Sequence, residues 1–119
     1  MIHEVTGTQV EHEPYRRWFF DEDFDLIVWL SDHATVMALE LCYDKPGFER
    51  AVTWSRDQGY AHFRVDSGEE SPMRNRTPIL VSDGAFPKAD VIARFTRASI
   101  ALDPAIRGFV LERLRQFPS

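Results

Sequence analysis

A single cysteine in 119 residues excludes an internal disulfide framework, and Cys42, inside a predicted strand, reads as a small buried hydrophobe rather than a reactive thiol. No apolar run is long enough to span a bilayer. The first residues, MIHEVTGTQVEHE, lack the basic and apolar regions of a secretory leader, so a cytoplasmic protein is expected. Catalytic and cofactor fingerprints are equally scarce. Neither GxxxxGK nor GxGxxG occurs, so no phosphate-cradling loop and no cofactor is expected. There is no GxSxG elbow, and Ser82-Asp83-Gly84 reads as a strand-ending turn. HExxH and CxxC are missing too. His3, His12 and His33 are scattered, and their acidic neighbours Glu4, Glu11 and Glu13 create no ligand spacing, so no metal is expected.

What is present is the composition of an ordinary globular domain, 44% hydrophobic and 28% charged, with no low-complexity tract. A net charge of -5 argues against wholesale nucleic-acid binding, which needs clustered Lys and Arg. The charge is unevenly placed. From Pro87 onward six basic residues face three acidic ones, a balance of +3 against -5 for the chain, which leaves -8 for the first 86 residues. A basic tail and an acidic body either mark an interaction surface or complement each other within one fold.

Residues Met1–Pro14 are polar and aperiodic, and read as a loose arm or short edge segment before a domain spanning residues 15–119. The densest apolar stretch runs from Asp23 to Tyr43 and breaks once, at SDHAT. Before the break Phe24, Leu26, Val28 and Leu30 share one face, with Ile27 and Trp29 on the other. After it Met37, Leu39, Leu41 and Tyr43 alternate with Val36, Ala38, Glu40 and Cys42. This is the pattern of a β-hairpin covered on both faces. YRRWFF precedes it as a strand, DKPGF turns the chain, and ERAVTW and YAHFRVD give two more strands. In the second of these Ala61, Phe63 and Val65 are expected inward, and Tyr60, His62, Arg64 and Asp66 outward. SGEESPMRNR reads as a mobile loop and TPILVSDG as a short strand.

The remainder is helical. Val91, Ile92, Phe95, Ala98, Ser99 and Leu102 form one stripe; Asp103-Pro104 caps a second helix with the stripe Ile106, Phe109, Val110, Leu114 and Phe117. Arg113 falls in that apolar sector, and Glu40 is its expected partner. The fold class is α+β: an antiparallel β-meander of four to six strands with two C-terminal helices packed on one face. Ile27, Trp29, Tyr15, Trp18 and Phe20 leave the other face too apolar for water. A homodimer is the expected cover, with closure of the sheet as the alternative.

The polar group with the best claim to a site is His62, Arg64 and Asp66 on one strand face, with Tyr60 beside them and Glu69 and Glu70 in the following loop. An imidazole next to a carboxylate suits acid–base work or ligand binding; the plainer reading is a solvated strand face. Trp18, Trp29, Trp54, Tyr43, Tyr60 and Phe63 offer either core packing or a stacking platform for a flat ligand. The segments WFFDEDFDLIVWL, LCYDK, ERAVTW, HFRVDSGE and TPILVSDGAF resemble a small bacterial family of uncharacterised proteins, over most of the chain after Tyr15. The resemblance implies no activity and no catalytic residue. Two functions are left open: a noncatalytic domain that binds a protein partner or small ligand through the sheet and the loop from Ser67 to Arg76, or a small enzyme using His62 with Asp66 or Glu69 as acid and base or around a metal.

Overall fold

Period-two alternation becomes six antiparallel strands in the computed structural model, which describes residues 1–5, 15–64 and 86–118. They are β1 (His3–Val5), β2 (Arg16–Phe20), β3 (Asp25–Ser31), β4 (Thr35–Tyr43), β5 (Arg50–Ser55) and β6 (Gly59–Arg64), lying side by side in chain order. Helices α1 (Lys88–Ala98) and α2 (Pro104–Arg115) follow, completing the expected α+β meander. Of the arm expected over residues 1–14, His3–Val5 is an edge strand paired with Trp18–Phe20, and Ile2 beside it is buried, its N–H donating to the Ala98 carbonyl at 2.9 Å. Residues 6–14, the predicted loop from Ser67 to Arg76 and the predicted strand in TPILVSDG lie outside the described residues.

The helices cover one face of the sheet. Leu26, Val28, Leu39, Leu41, Tyr43 and Val52 are buried with Val91, Phe95, Ile106, Val110 and Leu114 in a single core. Each such side chain contributes roughly 1.5–3 kcal/mol by leaving water, which is what makes amphipathic helices settle here. Phe95 meets Phe24 edge-on, centroids 5.7 Å apart, and Phe109 meets Trp54 at 5.4 Å. Asp103 caps α2 as its sequence predicts, accepting from the Ala105 N–H at 2.9 Å, with Pro104 at the first helical position. Arg107 of α2 donates to Ser99 Oγ and to the Thr96 carbonyl, both at 2.9 Å, which satisfies polar groups at the end of α1. Arg17 of β2 grips Glu4 of β1 with two 2.8 Å bonds and reaches the capping carboxylate of Asp103 at 3.3 Å. That guanidinium and the Ala105 N–H hold the Asp103 carboxyl below its ordinary range.

Three expectations are corrected. Strict alternation fails at Met37: Trp29 pairs with Ala38 but Leu30 pairs with Val36, so Met37 is an extra residue in a β-bulge. Val36 thereby joins Leu39 and Leu41 in the core, and Met37 is exposed. In β6, Tyr60 and His62 turn toward the helices, because they stand opposite Trp54 and Val52, which already face that way. Arg113 does not reach Glu40. Leu39 and Leu41 point at the helices, so Glu40 between them faces away from α2. The Arg113 guanidinium instead lies over the Trp54 and Phe109 rings, 5.3 and 5.4 Å from their centroids.

The opposite face is half-covered among the described residues. Ile27, Trp29, Glu40 and Thr53 are partly exposed, whereas Cys42 and Ala51 are buried. Among the described residues the sheet does not close on itself, and β1 and β6 are its outermost strands.

Arg113 Nε is buried with no hydrogen-bond partner among the described residues, so its burial is opposed by desolvation. Arg113→Met should therefore change stability by less than about 1 kcal/mol in a urea melt, against the roughly 3–5 kcal/mol expected if the side chain held a buried carboxylate.

Candidate functional site

The turn joining β3 to β4 is built against the preferences of its residues. Asp32 and His33 both take left-handed backbone conformations, φ 51° and 58°, and the Ala34 N–H donates to the Ser31 carbonyl at 3.0 Å. Two consecutive positive φ values define a type I′ turn, which matches strand twist and favours Asn-Gly. Asp and His tolerate that region better than most residues, but neither has glycine's freedom. A few residues on, the Met37 bulge adds a second irregularity to the same end of the hairpin.

Both irregularities border one cavity of about 600 Å³. Tyr15, Trp29, Leu30 and Met37 supply its apolar lining, and Ser31, Asp32 and His33 its polar part. Tyr15 is fixed on two sides: its carbonyl accepts from the Leu30 N–H at 3.0 Å, and its ring stacks on His33 with centroids 3.9 Å apart and planes 27° from parallel. The bulge places Met37, a flexible and polarisable side chain, beside Trp29 instead of in the core. The size suits a small organic ligand, and so does the chemistry of mainly apolar walls with a few polar groups.

The residues singled out in β6 have a different setting. Tyr60 donates to the Arg113 carbonyl at 2.7 Å and packs edge-on against Phe117, with burial raising its phenol pKa. His62 Nε2 lies 2.6 Å from the buried Tyr43 hydroxyl, and its ring packs near Phe86 and Phe117 at 5.2 and 6.4 Å. Arg64 ends the strand, exposed. Asp66 and Glu69 lie outside the described residues. The structure thus brings Tyr60 and His62 together beneath the C-terminal aromatics, joined to the fold by a phenol and a backbone carbonyl.

On the face away from the helices, Cys42 sits among carboxylates, with its thiol 3.5 Å from Glu40 Oε2. Burial, then the charges of Glu40 and Glu49, push that thiol far above its ordinary pKa and so disfavour the thiolate. Among the described residues no three His, Cys, Asp or Glu side chains are placed to hold a metal ion, and no helix is long and apolar enough to cross a membrane. Comparison with protein families, with curated proteins and with solved structures finds no match to this chain.

Sequence reasoning missed the hairpin-end cavity. Trp29 looked like one of several core aromatics, and His33 like an ordinary polar turn residue. The available signal was the dipeptide Asp-His at the centre of a tight hairpin, where glycine is favoured.

Glu49 supports a pH prediction. Desolvation, then the nearby Asp25 charge, raise its pKa above the ordinary 4.5, so folding favours its protonated form. Its stabilising contribution is complete below the ordinary value and is lost as pH rises through the raised one. Glu49→Gln should therefore melt higher than the parent protein at neutral pH, with the difference shrinking toward pH 4.5; an unchanged gap across that range contradicts the assignment.

Proposed function

We propose that this chain is a noncatalytic binding domain whose ligand, a small organic molecule, seats in the cavity at the β3–β4 end of the sheet. One observation carries this reading: a bulge and a doubly left-handed turn converge on the same aromatic-lined space. The bulge is a departure that closing the hairpin does not require, and the turn, though of a type that hairpins favour, holds Asp32 and His33 where Asn-Gly would be more stable. Departures of this kind collect where side chains must be re-aimed at a ligand.

Titration with small aromatic compounds should shift the amide resonances of residues 31–37 in a nitrogen–proton correlation spectrum. The double variant Asp32→Asn, His33→Gly should melt higher, by about 1 kcal/mol once the lost ring stack is deducted, yet bind those compounds more weakly. Binding as strong as the parent's, in a variant that has the preferred turn, removes the reason for the proposal.

A cytoplasmic setting and a homodimer belong to the same proposal. The unpaired Cys42 suits a reducing compartment. A second copy against the half-covered face would shelter Ile27 and Trp18, whose indole N–H is buried without a hydrogen-bond partner among the described residues. Sedimentation of a dilute sample as a monomer counts against the dimer.

A further inference from the structure

We infer that the cavity takes an organic cation, an amine or guanidine carried on a flat apolar body. The inference rests on the binding reading above and names the chemical class of its ligand. Among the described residues that line the space, Asp32 is the single carboxylate, and none is a lysine or arginine. Tyr15 and Trp29 also line it, and aromatic rings attract cations, indole most strongly. Leu30 and Met37 provide the walls for the ligand's hydrocarbon portion.

Among the described residues Arg56 and Arg16 lie near this end of the sheet, and neither lines the cavity. Arg56 donates from Nε to the Val36 carbonyl at 3.1 Å, with its guanidinium over the Trp54 ring on the helix side. Arg16 stands across the ladder from Trp29, with its Nε buried. An anionic ligand would meet the Asp32 carboxylate with no lysine or arginine among the described lining residues to offset it, whereas a cation finds both a counter-charge and aromatic rings. The charge of -8 over the first 86 residues acts in the same direction at longer range.

Three probes with one body and different charge test this: 2-phenylethylamine, 2-phenylethanol and 3-phenylpropanoate, each titrated against the full chain by calorimetry and by the amide shifts of residues 31–37. The amine is expected to bind about tenfold more tightly than the alcohol, and the carboxylate more weakly than either. Asp32→Asn, which keeps a residue suited to the left-handed turn, should remove most of the amine's advantage over the alcohol. Equal binding of amine and alcohol by the parent overturns the cation assignment while leaving the cavity as a binding site. Preference for the carboxylate overturns it as well. An amine preference undiminished in Asp32→Asn refutes the role given to Asp32. Failure of all three probes to move residues 31–37 at millimolar concentration refutes the cavity reading and the cation inference together.

Discussion

The burial of one sheet face beneath two helices is the contact on which this structure depends. A six-stranded antiparallel sheet offers two faces to water, and α1 and α2 cover one of them. Phe95 against Phe24, and Val110 and Leu114 within the shared core, fix where α1 and α2 lie. Polar contacts then hold them there: Arg107 joins the two helices, and Arg17 joins the start of α2 to the two N-terminal strands. Arg94 of α1 adds a 2.9 Å bond to Asp44, a left-handed residue at the exit of β4.

The β3–β4 tip carries two irregularities of the backbone, a bulge and a pair of left-handed residues. A hairpin end inside the packed core has little latitude, because a one-residue slip would turn every side chain over. At the tip a bulge can be absorbed, and it transfers Met37 from one side of the strand to the rim of a cavity.

The architecture was legible because its two periodicities are unambiguous. Leu26, Val28 and Leu30 can share a face only in an extended chain, and Val91, Phe95 and Ala98 only on a helix. The Asp103-Pro104 cap was equally plain. Choice between faces was not. Tyr60 and His62 form one self-consistent side of β6 and Ala61 and Phe63 the other, and only the neighbours Val52 and Trp54 decide which meets the helices. Glu40 was given to Arg113 for the same reason, since an acid in an apolar strand does not reveal its side. Met37 is apolar on either account, so its bulge left no mark in the pattern. The cavity depends on that bulge and on a turn conformation, both properties of the backbone that hydrophobic periodicity does not encode.

Strand order in chain order has a kinetic meaning. Every ladder closes a short connection between consecutive elements except the one leading from β1, so most of the sheet can zip outward from the central hairpin with little loop entropy to overcome. The Arg17 contacts are the exception: they gather Glu4 and Asp103, 99 positions apart along the chain, around one guanidinium. Such a clasp can form only after the lid has docked, and it should be the first contact released when the domain begins to open. Fraying of the amino-terminal edge and undocking of the second helix are then a single coupled event.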